Sequence, residues 1–302
     1  MNYRHIFHAA NFADVLKHVV LVHVLELLTA KNKPICVIDT HAGAGAYDLG
    51  SATARRSGEA QAGFARLAGR RDLPPTVARY RALVRAFADK FGDSPGAIAH
   101  YPGSPRLARA VLRPADRLVV CELHAEQARL LKREFAGDCQ VDVRHEDGYA
   151  LLKSLLPPKE RRGLVLIDPP YEARDELARL ARHLRQAHRR FATGVYLVWY
   201  PIKDQPAVAV FRAAIARMGW AQVLDAGIAI GPVAADGPLN ACGLLLINPP
   251  WRSEAMLKAV LPYLAEAFAA KAGTWSLSRL AGEHAPPASG TDPAPAAGTS
   301  RR

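Results

Sequence analysis

The residues best suited to chemistry lie in one short stretch, residues 164–171, which reads Leu-Val-Leu-Ile-Asp-Pro-Pro-Tyr. The four apolar residues favour a strand buried on both faces, and the two prolines can continue neither a sheet ladder nor a helix. Asp168 should therefore end a strand, at the edge where open α/β sheets bind ligands. There the Asp168 carboxylate and the Pro169 carbonyl can accept the two hydrogens of an exocyclic amine while Tyr171 stacks on a planar base. The alternative is a turn with a capping acid.

A second stretch imitates the first, because residues 248–251 read Asn-Pro-Pro-Trp. Sheet order favours Asp168, which follows the fourth predicted strand and should lie beside the first. Asn248 follows the last predicted strand, so we expect it toward the sheet edge, away from the point where the strand order reverses. Asn248 is therefore the weaker catalytic candidate.

A glycine-rich loop follows the first predicted strand. Residues 34–39 are a short apolar run that ends in an acid, and residues 40–45 read Thr-His-Ala-Gly-Ala-Gly. Glycines such as Gly43 let backbone amides approach a nucleotide ligand closely. His41 stands where cofactor loops usually have their first glycine, so a plain turn remains the alternative.

Polar residues after other predicted strands complete the candidate site. Glu122 ends the second strand, where a carboxylate can accept both hydroxyls of a ribose, or it faces solvent. Asp147 can accept from an adenine amine or cap the following helix, and both interpretations remain open. Ser104 precedes a proline and is predicted to cap a helix at residues 105–112.

These side chains need a frame that brings them together. Alternating strand and helix patterns predict an α/β fold with a mostly parallel, Rossmann-like sheet of about seven strands. Between residues 51 and 101 this alternation stops, and two helical patterns predict a small helical insertion. We therefore expect an N-terminal arm (residues 1–10), a main domain (residues 11–50 and 102–272), the insertion (residues 51–101) and a disordered low-complexity tail (residues 273–302).

Length and charge narrow the class of protein. The chain has 302 residues, enough to bury a full α/β core, and no apolar run approaches the roughly 20 residues that cross a membrane. The formal net charge is +12, and residues 55–117 hold 13 Arg or Lys against 5 Asp or Glu. This excess favours a nucleic-acid partner and makes the insertion the predicted basic patch. A solvated helical face with an arginine-rich composition is the alternative.

Two further features bear on partners and metals. The arm mixes aromatic and basic residues, including Tyr3, which suits contact with RNA bases and phosphates, although packing of the arm onto the core is equally open. The four cysteines show no metal-ligand spacing, so no metal site is predicted, and free thiols suit a reducing cytoplasm.

Five motifs occur together in this chain. They are Tyr-Arg-His at residues 3–5, Asn-Phe-Ala-Asp-Val-Leu-Lys-His at 11–18, Asp-Thr-His-Ala-Gly-Ala-Gly at 39–45, Tyr-Pro-Gly-Ser-Pro at 101–105 and Ile-Asp-Pro-Pro-Tyr at 167–171. In this combination the chain resembles the bacterial 23S ribosomal RNA adenine-N6 methyltransferase J family. The similarity extends from residue 2 to about residue 270, and the low-complexity tail departs from it.

The resemblance implies a methyltransferase that uses S-adenosylmethionine and methylates N6 of a specific adenine in 23S ribosomal RNA. It implies that Asp168 is catalytic and that Tyr3 contacts RNA, and we add Pro169 and Tyr171 as RNA contacts. The predicted cofactor contacts are His18, His41, Gly43, Ser104, Glu122, Asp147 and Gly148. We expect a cytoplasmic monomer without a membrane contact, which acts on RNA before the subunit is fully assembled.

The expected reaction is direct transfer of a methyl group to N6 of an adenine that is flipped into the site. Rival enzymes would use the same loop on a DNA adenine, on N2 of a guanine or on a protein glutamine amide. A hypothesis from another functional class is that the chain is a non-catalytic RNA-binding protein that uses the basic insertion and keeps the fold as a scaffold. The acids Asp39, Glu122 and Asp168 argue against a scaffold, which needs none of them.

Overall fold

The computed structural model describes residues 8–94, 98–282 and 288–289. Its helices are α1 (Phe12–Thr29), α2 (Ala52–Ser57), α3 (Glu59–Ala62), α4 (Ala65–Ala68), α5 (Pro75–Ala88), α6 (Ser104–Val111), α7 (Ala125–Glu134), α8 (Gly148–Leu155), α9 (Glu176–Arg190), α10 (Gln205–Ala216) and α11 (Ser253–Phe268), with a short 3-10 helix at Asp89–Phe91. Its strands are β1 (Cys36–Asp39), β2 (Ala46–Asp48), β3 (His100–Pro102), β4 (Arg117–Cys121), β5 (Val141–Arg144), β6 (Gly163–Ile167), β7 (Val195–Pro201), β8 (Val223–Ala229), β9 (Ala241–Ile247), β10 (Thr274–Ala281) and β11 (Ala288–Ser289). None of the described helices is long and apolar enough to cross a membrane.

One large sheet organises the described residues, with the strand order β11-β10-β8-β9-β7-β6-β1-β4-β5. The five neighbouring strands β5, β4, β1, β6 and β7 pair in parallel. β6 lies beside β1, with Leu166 opposite Asp39, as the sequence predicted. The chain leaves β1 for β4 on one side and later places β6 on the other side, so the strand order reverses there. This reversal is the switch point of a Rossmann-like fold, and it confirms the predicted α/β class.

The other half of the sheet is antiparallel and longer than predicted. β9 pairs antiparallel with both β7 and β8, and β10 pairs antiparallel with β8. In the described chain the sheet has eight strands of four or more residues and the two-residue β11, where the sequence predicted about seven.

The additional strand, β10, lies in residues 273–302, which were assigned to a disordered tail, and for Thr274–Ala281 that assignment is wrong. Leu277 is the one fully buried residue of β10, and the register shifts between Arg279 and Ala281, so the strand lacks a clear two-residue alternation. The tail beyond Gly282, apart from β11, lies outside the described residues.

Helices cover both faces of the sheet, which explains the uninterrupted apolar run of β6. Leu164 and Leu166 pack with the layer that contains α1, α6 and α11. Val165 and Ile167 pack with the layer that contains α8, α9 and α10. A strand between two helical layers has no polar face, so each of its residues is apolar.

The insertion is helical, as predicted, and it packs on the main domain. α5 covers most of the second predicted helical pattern, and β2 pairs with β3 at the two ends of the insertion. Phe64, Tyr80 and Val84 lie in the same apolar cluster as α1. The predicted division into domains stays a prediction, but the insertion shares its core with the sheet's helical layer.

Candidate functional site

Four acidic residues meet at the carboxyl edge of the parallel strands. Asp39 is the last residue of β1, Glu122 follows β4, Asp147 follows β5 and Asp168 follows β6. These strands are neighbours in the sheet, so parallel pairing brings residues that are far apart in sequence to one edge.

The glycine-rich loop after β1 packs tightly against this edge. Gly43 has φ +60°, and a Cβ there would lie 2.1 Å from the Tyr47 hydroxyl oxygen. A Cβ on Gly148 would lie 2.1 Å from the Thr40 carbonyl oxygen. Larger residues do not fit at either position without rearrangement, which explains why glycines occupy them.

Glu122 links the loop to the second strand. Its Oε2 accepts a hydrogen bond from the Gly43 amide at 2.9 Å, and its Oε1 accepts one from the His124 amide at 2.7 Å. A carboxylate has about four lone-pair sites, so each oxygen retains capacity for another donor. A buried strand-end acid with one remaining site on each oxygen fits a diol such as a ribose.

His41 contributes an uncharged ring to the site. Burial lowers the pKa of His41 to about 4, even though the nearby Asp168 and Asp147 carboxylates act in the opposite direction. Its Nδ1 lies 2.8 Å from the Thr40 hydroxyl, and its ring meets Tyr149 edge-on. At neutral pH this imidazole therefore adds no positive charge.

Ser104 does not cap α6, contrary to the prediction. The N-cap residue is Gly103, and the Ser104 hydroxyl donates to Asp39 Oδ2 at 2.6 Å. The Asp39 carboxylate is buried and accepts this hydrogen bond in place of an ion pair, since no cation within the described ranges lies within 4.0 Å of it.

Asp147 is the N-cap of α8, which was one of its two open interpretations. Its Oδ1 accepts from the Tyr149 amide at 2.7 Å, and Oδ2 accepts from Arg179 at 2.8 Å. The Arg179 guanidinium also lies over the Tyr149 ring, with its central carbon 4.8 Å from the ring centroid. The His41 ring is 5.3 Å from the same ring, centroid to centroid. Arg179 therefore holds both the acid and the ring at this end of the site.

These residues surround a cleft of about 1170 Å³, including its open mouth. All seven predicted cofactor positions line it: His18, His41, Gly43, Ser104, Glu122, Asp147 and Gly148. Sequence reasoning thus gathered residues from five separate segments that the fold brings into one cavity. Their individual contacts with a cofactor stay predictions.

Asp168 is held by a buried lysine. Lys17 Nζ donates to Asp168 Oδ2 and, at 2.7 Å, to Asp14 Oδ1. Burial disfavours the charged ammonium, but the carboxylates of Asp14 and Asp168 outweigh it and raise the pKa of Lys17 well above its usual range. The lysine therefore stays protonated and fixes one oxygen of Asp168.

A second cavity lies on the other side of Asp168 and has about 730 Å³ of space, including its mouth. It shares Lys17, Asp168 and Pro170 with the first cavity. Its remaining lining residues are His8, Asn11, Ala13, Asp14, Pro169, Tyr171, Trp199, Pro201, Lys203 and Leu239. The catalytic candidate therefore stands where two cavities meet.

Two of the three predicted RNA contacts lie in the described part of the chain. Pro169 and Tyr171 both line the second cavity. Tyr171 has φ +52°, and its hydroxyl donates to the Trp199 carbonyl at 2.6 Å, which fixes the ring beside Asp168. Tyr3 lies outside the described residues.

Sequence reasoning missed the chain of contacts that reaches Asp168 from the insertion. Glu59 Oε2 accepts from Asn11 Nδ2 at 2.9 Å, Asn11 Oδ1 accepts from the Asp14 amide at 2.8 Å, and Asp14 accepts from Lys17. A sequence signal existed, because Asp14 and Lys17 are two opposite charges three residues apart in the first turns of a helix that is mostly apolar.

Asn248 lies at the opposite edge of the sheet. β9 runs antiparallel to β7, so Ile247 at its end pairs with Tyr196 near the start of β7. The prediction that Asn248 lies toward the lateral edge of the sheet is wrong, since β9 is an interior strand. The conclusion that Asn248 stands away from the switch point is confirmed, for a different reason.

The family model described as "Ribosomal RNA large subunit methyltransferase D, RlmJ" matches residues 32–281. The chain belongs to this RlmJ family. Its members include "Ribosomal RNA large subunit methyltransferase J" of Escherichia coli, which is 41% identical over 264 residues that cover 87% of this chain and 92% of that protein.

A second relative and one solved structure match nearly the whole chain. The RlmJ-family protein of the same name from Haemophilus influenzae is 38% identical over 285 residues, 94% of this chain and all of that protein. The crystal structure of protein LPL1258 from Legionella pneumophila is 33% identical, with a TM-score of 0.82 over 91% of this chain and 99% of that one. Family membership confirms the resemblance that the five motifs indicated.

Proposed function

We propose that the chain uses S-adenosylmethionine to methylate N6 of a specific adenine in 23S ribosomal RNA, before the large subunit is fully assembled. The observation that carries this proposal is the position of Asp168, between a cleft lined by the predicted cofactor residues and a second cavity lined by Tyr171 and Pro169. We further propose that the protein acts as a monomer in the bacterial cytoplasm, where ribosomal RNA is made.

The first cavity fits S-adenosylmethionine, which supplies a methyl group on a positively charged sulfur. Glu122 retains one acceptor site on each oxygen for the ribose hydroxyls. Asp147 lines the same cavity and retains an acceptor site on Oδ2, which suits the amine of an adenine. The neutral imidazole of His41 avoids repulsion of the sulfonium charge, which a protonated histidine would cause.

The second cavity fits the target adenine. Asp168 Oδ1 and the Pro169 carbonyl would accept the two N6 hydrogens, which would leave the nitrogen lone pair free to attack the methyl group. Tyr171 offers a ring fixed by its bond to the Trp199 carbonyl. An adenine in a duplex cannot reach this depth, so the base must be flipped or taken from a single-stranded segment.

Lys17 positions the catalytic carboxylate. It binds Asp168 Oδ2 and so leaves Oδ1 directed to the substrate. Bound S-adenosylmethionine would supply the methyl group and leave as the neutral thioether when its carbon–sulfur bond breaks, and the positive charge gained by N6 would be lost when one N6 proton passes by way of Asp168 to solvent. Asp168 stabilises that charge, and preorganised acceptors of this kind lower a barrier because they need no rearrangement during the reaction.

Two alternatives are less well supported by the site. A DNA adenine or a guanine N2 would use the same acceptors, but the family members carry ribosomal RNA in their names. A non-catalytic RNA-binding protein would not need Asp14, Lys17 and Asp168 buried together, because burying charges costs free energy that binding RNA does not recover.

The test is methyl transfer from a radiolabelled donor. The acceptors are protein-free 23S RNA, isolated large subunits and DNA, and the modified nucleotide is identified by nuclease digestion and chromatography. We expect N6-methyladenosine in protein-free 23S RNA, more label there than in large subunits, and a rate of labelling lower by about 10²–10³ when Asp168→Asn replaces the wild type. Label on guanine or on DNA would overturn the proposal.

A further inference from the structure

The arginines of the insertion are largely engaged in holding the fold. Arg66 donates to the Phe268 carbonyl at 2.6 Å, and Arg81 donates to the Arg70 carbonyl at 2.5 Å. Others are paired with acids, such as Arg79 with Glu26 at 2.6 Å. A side chain fixed in this way is poorly placed to follow an RNA backbone.

A different basic surface remains accessible between α9 and α10. A groove of about 1250 Å³, open to solvent, runs between these helices. Apolar residues form its floor: Leu177, Ala178, Ala181, Ala207, Val210, Phe211 and Ala214. Four arginines also line it: Arg174, Arg182, Arg185 and Arg189. We call this surface the arginine groove.

The cations of the arginine groove are exposed and barely paired. Among the described residues, Arg174, Arg185 and Arg189 have no acidic oxygen within 4.0 Å, and all three are exposed. Arg182 lies 3.9 Å from Asp175, and both side chains are more than half exposed. Arg182, Arg185 and Arg189 recur at three- and four-residue spacing, which places them along one side of α9.

The arginine groove begins close to the proposed adenine cavity along the chain. Tyr171 lines that second cavity, and three residues further on Arg174, followed by Asp175, lines the groove. The groove therefore begins, before the N-terminal end of α9, within a few residues of the catalytic loop. The floor includes Val210, which is 72% exposed and offers an apolar contact for an unstacked base.

We propose that the arginine groove binds the RNA backbone beside the target adenine, in a single-stranded or opened segment. This inference rests on the proposed function and adds where the RNA lies. Arginines suit the task because a guanidinium forms two parallel hydrogen bonds to a phosphate. Single-stranded RNA suits the groove because bare phosphates and unstacked bases match a basic rim with an apolar floor.

The test is the salt dependence of RNA binding. The variant Arg182→Gln/Arg185→Gln/Arg189→Gln is compared with the wild type on a full-length 23S RNA transcript and on a short oligoadenylate, between about 50 and about 200 mM salt. Each lost phosphate contact lowers the slope of log affinity against log salt by about 0.7–0.9, so we expect a decrease of about 2. Cofactor affinity serves as the check that the variant is folded.

A matched control comes from the insertion. Arg71 and Lys90 have no ion pair or hydrogen bond among the described contacts, so Arg71→Gln/Lys90→Gln removes exposed charge without breaking the fold. We expect this control to change the slope by less than about half a unit. A slope that falls in the control and not in the groove variant would place the RNA on the insertion and overturn the proposal.

Two further outcomes separate the possible failures. If the wild type methylates no adenine but the groove variant still loses slope, the proposed reaction fails and the RNA surface stands. If Val210→Glu changes the sedimentation of the protein while the arginine variant binds RNA with an unchanged slope, the groove holds a second copy of the chain and the RNA proposal is overturned.

Discussion

The two Pro-Pro loops share a sequence pattern and differ in almost every contact. Asp168 ends a parallel strand at the carboxyl edge, where Lys17 holds its carboxylate between two cavities. Asn248 ends an antiparallel strand at the other edge, where its amide donates to the carbonyls of Ala192 at 2.7 Å and Gly194 at 2.8 Å. The Asp168 carboxylate retains an oxygen that can accept a hydrogen bond from a ligand, whereas both hydrogens of the Asn248 amide are donated to backbone carbonyls.

The aromatic residues of the loops differ in the same way. Tyr171 has φ +52°, which turns the chain so that its hydroxyl reaches the Trp199 carbonyl. In the other loop the positive φ of +50° falls on Asn248 instead, and Trp251 is 86% exposed. A shared pattern of prolines therefore fixes only a rigid turn, and the direction of the preceding strand decides which of the two loops can meet a ligand.

The largest expected effect is the loss of turnover in Asp168→Ala. Removing one well-placed acceptor at a reacting centre costs about 10²–10³ in rate, while the cofactor cleft retains its other lining residues. Single-turnover methylation of 23S RNA measures the rate, and calorimetry measures cofactor affinity. The matched control is Asn248→Ala, which should methylate at nearly the wild-type rate. If Asp168→Ala methylates at nearly the wild-type rate and Asn248→Ala is inactive, catalysis has been assigned to the wrong loop.

Glu122 tests whether the carboxyl edge binds the cofactor. Glu122→Ala removes the proposed ribose acceptors and also the acceptors of the Gly43 and His124 amides. Lost hydrogen bonds to a charged group should weaken S-adenosylmethionine by about 1.5–3 kcal/mol, measured by calorimetry. Glu122→Gln retains one acceptor oxygen and should lie between the two. Equal affinity in all three proteins would contradict the assignment.

Asn248 should matter for stability. Asn248→Ala leaves the Ala192 and Gly194 carbonyls without their donor and puts alanine at a positive φ, which asparagine tolerates better. We expect a loss of about 1–2 kcal/mol in the free energy of unfolding, measured with urea. Asn248→Gly removes the amide without the φ penalty, so it should recover part of that loss. Wild-type stability in both variants would show that these hydrogen bonds contribute nothing.

The sequence predicted what depends on local pattern. The strand before Asp168 follows from four apolar residues before two prolines. The placement of β6 beside β1 follows from the rules of parallel α/β sheets. Local propensity and short connections are enough for each of these predictions.

What the sequence could not predict depends on distant partners. Lys17 meets Asp168 across 151 positions of the chain, and no local rule joins them. Nor does the sequence of β9 state that it runs antiparallel, because a strand buried on both faces reads alike in either direction. The predicted position of Asn248 was therefore wrong, and its non-catalytic role stays a prediction.

The smallest expected effect is a change in how the free energy of unfolding depends on pH, caused by Asp39. Such a dependence would separate the carboxyl edge, which titrates, from the loop at Asn248, which carries no charge. Burial raises the pKa of Asp39 to about 6, although hydrogen bonding by Ser104 and the charge of Lys17 oppose the shift. A raised pKa means that the folded protein holds this proton more tightly than the unfolded chain does. Protonated Asp39 therefore contributes its full stability below the ordinary pKa of an aspartate, and this contribution is lost as the pH rises through about 6.

Asp39→Asn should remove that pH dependence while its amide oxygen still accepts from Ser104. Between about pH 4.5 and about pH 7.5, we expect the free energy of unfolding of the wild type to fall by about 1–2 kcal/mol relative to the variant. Urea unfolding at both pH values measures the difference, and the comparison cancels every titration the two proteins share. Parallel pH profiles would mean that Asp39 is already ionised in the fold. The buried Asp39 would then add a second carboxylate charge near the Lys17 ammonium, which already binds Asp168.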